Sequence, residues 1–174
     1  MQFRHRCRLR PTTIVEIGSY RGRSTTLLAL AQERFAPTGK EVAIDPHTGD
    51  RQDLEKHGLA TLPSFDQFSR NVAAAGVSHR ITPIVALSYD AVVGWNEPID
   101  MLYVDGWHSC AVLQDGHDWL PFLRPGGVVI FDDYMVYHEV KRAVHISRQT
   151  GNSTLYGVMG TQASAVLRAS DGIS

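Results

Sequence analysis

Residues 16–25, which read EIGSYRGRST, decide the fold, because they join the first strand-like run of the chain to its first helix-like run. The preceding run, 12–17, is short and rich in β-branched residues, which predicts a buried strand. Apolar residues at helical spacing over 24–35 predict a helix, and Pro37 and Gly39 end it. The free N–H groups and positive dipole end of such a helix favour an anion at this turn. A plain strand-to-helix turn with a serine or threonine cap is the alternative interpretation.

The side chains around this turn fit a bound nucleotide-like ligand. Gly18 allows a sharp turn and a close approach to the ligand, and Ser24 and Thr25 add hydroxyl donors in the first helical turn. The next predicted strand ends at Asp45, where an acidic side chain can bind the two hydroxyls of a ribose. Because position 20 is Tyr20, the glycines do not follow the G-x-G-x-x-G pattern, which argues against NAD or FAD.

Strand-like and helix-like segments alternate along the whole chain. This alternation predicts an α/β fold: a Rossmann-like, doubly wound, mostly parallel sheet with a C-terminal antiparallel hairpin and helices on both faces. We expect a single domain over 12–170 after a basic tail, 1–11, and a long irregular segment over 47–62. The predicted strands are 12–17, 41–44, 80–87, 99–104, 128–131, 153–158 and 163–168, and the predicted helices are 24–35, 63–75, 89–94, 109–123 and 136–149.

Composition excludes several classes of protein. The formal net charge of −1 gives no overall field that would attract nucleic acid or an anionic membrane. No apolar run approaches the roughly 20 residues of a membrane helix, and no apolar secretory signal opens the chain. Two cysteines provide no disulfide framework, so we expect a reducing, cytoplasmic setting and neither nucleic acid nor membrane as a partner. The arginines of the first ten residues are interpreted as a solvated tail.

Three carboxylates follow the fourth and fifth predicted strands. Asp105 ends the fourth strand, and Asp132 and Asp133 end the fifth. If these strands are neighbours, their ends lie about 5 Å apart at the edge where such sheets bind ligands. Repulsion between three such groups is relieved by a cation, and oxygen ligands suit Mg²⁺, Mn²⁺ or Ca²⁺. Alternatively, Asp105 caps the next helix and the other two form a turn.

Two further side chains follow the fourth strand closely. His108 lies three residues after Asp105, and its unperturbed pKa near about 6.5 suits proton abstraction at neutral pH. A solvent-exposed histidine at a helix start is the alternative. Trp107 could stack on a flat ring of the ligand, or it could belong to the core.

The pattern Glu-x-Gly-x-x-x-Gly-x-Ser over 16–24 resembles motif I of class I S-adenosylmethionine-dependent methyltransferases. The version here is similar to that of catechol O-methyltransferase-like and macrocin O-methyltransferase-like enzymes, and the resemblance runs from about Thr12 to Arg168. It implies that the 18–22 turn holds the methionine part of S-adenosylmethionine, with Tyr20 and Ser24 at its carboxylate. The residues that the resemblance implies for cofactor binding are Glu16, Gly18, Ser19, Tyr20, Gly22, Ser24, Asp45, Pro46, Ser88, Asp105 and Trp107.

The resemblance also implies roles for the acidic residues and the histidine. Asp105, Asp132 and Asp133 match the metal ligands of the catechol O-methyltransferase group, although the third ligand there is commonly Asn. His108 stands where those enzymes have a lysine read as the general base, while the macrocin-like group also has Asp-Gly-x-His. Asp45 matches the acid that binds the ribose, and Ser88 matches the position that holds the adenine.

The predicted function is therefore divalent-metal-assisted methylation of a hydroxyl on a small molecule such as a vicinal diol, a catechol or the sugar of a glycosylated metabolite. A metal-independent methyltransferase and a non-catalytic S-adenosylmethionine-binding scaffold are the alternatives. Only about ten residues precede the first predicted strand, where related enzymes carry further helices. We therefore expect a fragment, a misassigned start or a minimal homodimer that completes its site by pairing.

Overall fold

The computed structural model describes residues 10–48, 63–107, 109–150, 153–159 and 164–169. Seven strands form one sheet in the order β3-β2-β1-β4-β5-β7-β6. The first five strands are parallel, and β7 and β6 add an antiparallel hairpin beside β5. This architecture confirms the fold class expected from the alternating pattern.

The strands are β1 (Thr13–Ile17), β2 (Lys40–Ile44), β3 (Ile81–Ile84), β4 (Ile99–Val104), β5 (Leu123–Phe131), β6 (Ser153–Met159) and β7 (Ser164–Ala169). The helices are α1 (Arg23–Phe35), α2 (Phe65–Ala74), α3 (Ser88–Ala91), α4 (Cys110–Trp119) and α5 (His138–Thr150), with 3₁₀ turns at Ser78–Arg80 and Leu120–Phe122. None of the described helices is long and apolar enough to cross a membrane.

Helices cover the sheet on both faces because successive strand residues point to opposite sides. On one face, α3, α4 and α5 pack against the larger core cluster, in which Leu102, Trp119 and Phe131 are fully buried. On the other face, α1 and α2 pack against β2 and β3, with Ala29 and Phe68 inside a smaller cluster. The buried runs of the central parallel strands explain why their sequences are nearly continuous in apolar residues.

Two element boundaries differ from the sequence-based expectation. The Arg-Pro-Gly-Gly stretch 124–127, which follows the predicted helix 109–123 and was expected to end it, belongs to β5, and the helix ends at Trp119. A register irregularity between β4 and β5 at Ile99 and Met101 accommodates the extra residues, so Leu123 already pairs with Ile99. The expected strand 80–87 shortens to β3, an edge strand whose position tolerates a proline.

A buried carboxylate fixes where β1 begins. Asp100 accepts hydrogen bonds from Thr12 N at 2.5 Å, Thr12 Oγ1 at 2.6 Å and Thr13 N at 3.0 Å, and it pairs with Arg124 Nε at 2.5 Å. Burial raises the pKa of Asp100, but the hydrogen bonds from the two threonines and the arginine outweigh burial and hold that pKa below its ordinary range. The sequence analysis treated this residue only as part of a strand.

Candidate cofactor and active site

The residues that follow four neighbouring strands form one row along the carboxyl edge of the sheet. Each donates its backbone N–H to the last carbonyl of the adjacent strand: Asp45 to Ile84 at 3.1 Å, Gly18 to Ile44 at 2.8 Å, Asp105 to Ile17 at 2.9 Å and Asp132 to Val104 at 3.0 Å. The sheet therefore places three of the predicted acidic residues and the predicted glycine side by side. In open α/β sheets this edge is where ligands bind.

Backbone strain concentrates at the same edge. Among the described residues other than glycine, those with positive φ are Tyr20 at 43°, His47 at 51° and Asp133 at 53°. They follow β1, β2 and β5, respectively. Such conformations cost about 1–3 kcal/mol each and cluster at functional sites. These three residues lie in the loops that the sequence predicts as the site, and that assignment stays a prediction.

Position 18 requires a glycine because the turn after β4 packs closely against it. Its φ is +91°, and a Cβ atom placed on it would lie 2.5 Å from the carbonyl carbon of Asp105 and 2.7 Å from Cα of Gly106. The β1 and β4 turns therefore pack backbone against backbone. Protein backbone therefore explains the need for glycine at this position, and a close approach of a ligand to Gly18 stays a prediction.

The start of α1 has no side-chain cap. Gly22, with φ of +79°, precedes the helix, and a Cβ there would come within 3.0 Å of the Phe68 ring. Ser24 is half-buried in the first turn, whereas Thr25 is fully buried and donates to the carboxylate of Glu16. Thr25 was expected as a donor toward a bound anion, and that expectation is wrong because its hydroxyl turns into the protein.

Glu16 and Ser19 lie behind the turn rather than on its surface. Glu16 is fully buried, and Ser19 is 2% exposed. Burial raises the pKa of Glu16 to about 7; hydrogen bonds with Ser24 and Thr25 oppose the rise, and the charge of Asp45 adds to it. Neither Glu16 Oε1 nor Ser19 Oγ has a hydrogen-bond partner within the described part of the chain.

Asp45 is held in place with its acceptor capacity partly free. Its Oδ2 accepts from Tyr20 N at 2.9 Å, and its Oδ1 accepts from His47 N at 2.6 Å. The side chain is 15% exposed, and each carboxylate oxygen has a second lone pair. This geometry leaves room for further donors, and the predicted binding of ribose hydroxyls stays a prediction. Pro46, its predicted companion, is half-buried beside it.

His47 helps to hold the Asp45 side chain in place. His47 opens the segment 47–62 that was expected to be irregular, and it is 3% exposed, with Nδ1 2.9 Å from Ser64 Oγ. Its ring centroid lies 5.1 Å from that of Phe65 and 5.2 Å from that of Phe68. Burial lowers the pKa of His47, although Asp45 opposes that shift. Asp50 and Arg51, two polar residues of the same segment that could face substrate or solvent, lie outside the described residues.

Two predicted adenine contacts occupy different environments. Ser88 begins α3, and its hydroxyl donates to Oδ1 of Asp115 on α4. Trp107 is 47% exposed just beyond β4, so the alternative that it belongs to the core is wrong. Asp115 itself is 4% exposed; burial raises its pKa to about 6, the hydrogen bond from Ser88 opposes the rise, and Asp118 adds to it.

The acidic residues after β4 and β5 influence one another. Burial first of all, and then the charges of Asp132, Glu16 and Asp133, raise the pKa of Asp105 to about 8. Asp132 Oδ2 accepts from the Tyr103 hydroxyl at 3.1 Å, and its Oδ1 accepts from Ser164 Oγ at 2.5 Å. Burial and these negative charges also raise the pKa of Tyr103, which stays a hydrogen-bond donor.

The expected metal site stays a prediction. Within the described ranges, no three His, Cys, Asp or Glu side chains form a group that could hold a metal ion. His108 lies outside those ranges, so neither its position nor its predicted role as a base is tested.

A comparison with protein families identifies the chain. The model of a family described as "Methyltransferase domain" matches residues 15–134, which is more than half of the sequence and includes every strand end of the site. The chain belongs to this methyltransferase-domain family. This membership confirms the resemblance that motif I suggested.

Known relatives of the methyltransferase domain are distant. An uncharacterized protein of Acanthamoeba polyphaga mimivirus is 27% identical over 133 residues, covering 72% of this chain and 52% of that protein. The chain thus spans about half the length of this curated relative.

Solved structures share the fold of the domain at low sequence identity. The O-methyltransferase TomG of Streptomyces achromogenes, in complex with S-adenosylmethionine, superposes with a TM-score of 0.68 at 22% identity over 95% of this chain and 76% of TomG. An O-methyltransferase from Bacillus cereus, in complex with SAH, gives a TM-score of 0.67 at 16% identity over 92% of this chain and 74% of that one.

Three functional-looking residues of this methyltransferase domain escaped the sequence analysis. Tyr103 stands two residues before Asp105 and therefore on the same sheet face, a signal that strand periodicity carries. Asp115 and Ser164 meet their partners 27 and 32 residues away along the chain. No local pattern indicates such contacts, which only the folded sheet creates.

Proposed function

We propose that this methyltransferase domain binds S-adenosylmethionine along the carboxyl edge of its sheet and transfers the methyl group to a hydroxyl of a small molecule. The observation that carries the proposal is the row of Asp45, Gly18, Asp105 and Asp132, locked together by backbone hydrogen bonds. This row combines a tight glycine turn, an uncapped helix start and an acid with free lone pairs. Together these features fit a ligand with a carboxylate at one end and a ribose in the middle.

Each part of the cofactor has a complementary group in this proposal. The methionine carboxylate lies at the start of α1, near Tyr20 and Ser24, where the helix dipole and free N–H groups favour negative charge. The ribose hydroxyls donate to Asp45. The adenine lies between Ser88 and Trp107. Glu16 acts from behind the turn, because its buried carboxylate holds Thr25 and so fixes the first turn of α1.

The acceptor hydroxyl lies beside Asp105 and Asp132. His108 removes its proton as the oxygen attacks the methyl group in line with the departing sulfur. The domain contributes mainly by aligning the two reactants, which converts an encounter in solution into a reaction within one complex. A vicinal diol, a catechol or a sugar hydroxyl fits this arrangement.

A divalent cation fits the chemistry of the acidic residues. Asp105, Asp132 and Asp133 offer only oxygen ligands, which suits Mg²⁺, Mn²⁺ or Ca²⁺. The pKa of Asp105 rises to about 8 partly because Asp132 and Asp133 are negative, and a cation relieves that repulsion. When bound there, the ion supplies Lewis-acid activation of the acceptor hydroxyl.

A metal-independent methyl transfer is the second candidate. It is favoured by the hydrogen bonds to Asp132, because both of its oxygens already accept from Tyr103 and Ser164. The described ranges also hold no three-residue metal group. In this version His108 removes the proton unaided, and Asp132 only orients Tyr103 near the acceptor.

Transfer of a labelled methyl group tests the proposal. Purified protein is incubated with methyl-labelled S-adenosylmethionine and a panel of catechols, vicinal diols and sugars, with Mg²⁺ or with a chelator. We expect label in at least one hydroxyl acceptor, a loss of about 100-fold in turnover for His108→Ala, and stimulation by Mg²⁺ that disappears in Asp132→Ala. Turnover that is unchanged by the chelator supports the metal-independent candidate.

The contrary outcome of that assay is also defined. Binding of S-adenosylmethionine with no methylation of any acceptor in the panel favours a non-catalytic scaffold over either enzyme. His117→Ala is the matched control for His108→Ala, because His117 is 82% exposed on α4 and away from the row of strand ends. Equal turnover of both variants across the pH range removes His108 as the base.

A further inference from the structure

We propose that Asp115 is a positioning residue that fixes the hydroxyl proton of Ser88 and thereby makes the adenine pocket selective for a 6-amino purine. The inference rests on the proposed function, since it concerns the base of the same cofactor. It concerns a residue that lies outside motif I and outside the acidic residues at the ends of β4 and β5.

The position of Asp115 ties two turns together. The residue lies on α4 and is 4% exposed, and its Oδ1 accepts the hydroxyl of Ser88 at the start of α3. Its Oδ2 lies 3.6 Å from the place where a Cβ on Gly106 would stand, directly after Asp105. One buried carboxylate is therefore hydrogen-bonded to the first of the two turns that flank the proposed adenine site and lies beside the second.

The hydrogen bond decides what Ser88 can offer to a ligand. A serine hydroxyl has one proton and two lone pairs, whereas an ionised carboxylate can only accept. Burial raises the pKa of Asp115 only to about 6, so the group is ionised at pH 8. The proton of Ser88 then points to Asp115, and a charge-assisted bond of this kind is about twice as strong as a neutral one. Toward the pocket, Ser88 presents lone pairs alone.

This polarity matches one purine and opposes another. The 6-amino group of adenine can donate a hydrogen bond to the Ser88 oxygen, whose own proton is donated to Asp115. The 6-carbonyl of hypoxanthine is an acceptor, so it would face the lone pairs of Ser88 without a proton between them. A buried polar group left unpaired in this way weakens binding by roughly 10- to 100-fold.

The experiment compares two nucleosides that differ in the 6-substituent and in the proton that the 6-oxo purine carries on N1, so the change in their ratio between wild type and variants is the readout. S-adenosyl-L-homocysteine and S-inosyl-L-homocysteine, its 6-deaminated counterpart, are titrated calorimetrically into wild type, Asp115→Asn and Ser88→Ala at pH 8. We expect wild type to prefer the adenine compound by roughly 10- to 100-fold. Asp115→Asn supplies an N–H to the oxygen of Ser88, frees the serine proton and reduces the preference to threefold or less. Ser88→Ala also reduces the ratio.

A matched control and the contrary results complete the test. Asp118→Asn removes the same charge three residues along α4, where the side chain contacts Gln114 and His117, and it should keep the wild-type ratio. An unchanged ratio in folded Asp115→Asn overturns the inference while leaving the proposed function in place. If the folded wild type binds neither nucleoside, the proposed function and this inference fail together. Should Asp115→Asn not fold, Asp115→Ala, which also frees the serine proton, takes its place.

Discussion

Two glycines with the same kind of backbone differ in what surrounds them. Gly18 has φ of +91° and Gly76 has φ of +76°, a region that side chains rarely adopt. A Cβ on Gly18 would overlap the backbone of Asp105 and Gly106, whereas nothing lies within 4 Å of a Cβ on Gly76. Alanine variants at the two positions therefore separate the cost of an unfavourable φ from the cost of a side chain that overlaps the neighbouring turn.

Gly18→Ala should lower the free energy of unfolding by about 3 kcal/mol or more, and Gly76→Ala by about 1 kcal/mol. The first change forces the β1 and β4 turns apart, and the second only strains one exposed residue. Urea unfolding of both variants measures the difference. Similar losses would mean that the turns can separate freely, against the close packing described here.

At the residue scale, the sequence predicts the position of a side chain best where that residue directly follows a predicted strand. Asp45, Asp105 and Asp132 directly follow runs of strand-like residues, so their positions at the sheet edge could be inferred. The partner of Ser88 could not be inferred, because 27 residues separate it from Asp115. Thr25 was misjudged because helical periodicity does not say which of two neighbouring hydroxyls faces a buried glutamate.

At the scale of single elements, the beginning of β1 depends on a side chain of β4. Asp100 binds the backbone and hydroxyl of Thr12, the backbone of Thr13 and the guanidinium of Arg124. These bonds hold the strand that carries Gly18 in register. A buried carboxylate with several donors stabilises the fold only while it is ionised.

Asp100→Asn should lower the free energy of unfolding by about 2–3 kcal/mol at pH 7. Since the pKa of Asp100 is below its ordinary range, this contribution is fully present above the unfolded-state pKa near about 4 and is lost as the pH falls through the lower folded-state value. Chemical unfolding of wild type and variant from pH 2 to pH 7 follows the loss. Asp66→Asn, an exposed site at the start of α2, should change little. A penalty that persists unchanged at pH 2 contradicts the ionic role.

The interior strand β2 carries a different kind of carboxylate. Glu41 is fully buried, and neither of its oxygens has a hydrogen-bond partner in the described parts of the chain. Burial, aided by the charge of Glu16, raises the pKa of Glu41 to about 10. The folded protein therefore holds a proton that the unfolded chain releases near about pH 4.5, so stability falls as the pH rises from there toward 10.

Glu41→Met should raise the free energy of unfolding by about 1–3 kcal/mol at pH 8, because an apolar side chain of similar size removes two unpartnered polar atoms. The gain should shrink at pH 4, where the carboxyl is protonated in both states. Glu97→Met is the control, since Glu97 is half exposed and pairs with the exposed Lys40. Destabilisation at pH 8 would show that Glu41 has a compensating partner.

At the scale of the whole molecule, the fold class could be predicted from the alternation of strand-like and helix-like segments alone. Buried β-branched runs and amphipathic helices specify a parallel α/β sheet, and the expected contact between β4 and β5 is confirmed by the pairing of Val104 with Phe131. The complete strand order was not predicted, because it depends on long-range packing that periodicity does not encode. The role of residues 124–127 was misread for the same reason, since their pairing with β4 overrides the local turn signal.

The homodimer stays a prediction at this scale. On the sheet face that carries Tyr103, the described helices α1 and α2 pack against β2 and β3, while Met101, Ile130 and Val166 on the other half remain partly exposed.

The central claim is that the row of strand ends binds S-adenosylmethionine, and calorimetric titration of this compound into wild type and Asp45→Ala tests it most directly. We predict binding by wild type, no binding of NAD, and an affinity about 10- to 100-fold weaker in Asp45→Ala, because two hydrogen bonds from the ribose to a carboxylate are lost. Circular dichroism confirms that the variant is folded. A folded wild type that does not bind S-adenosylmethionine, or an Asp45→Ala variant that binds it equally well, would contradict the account.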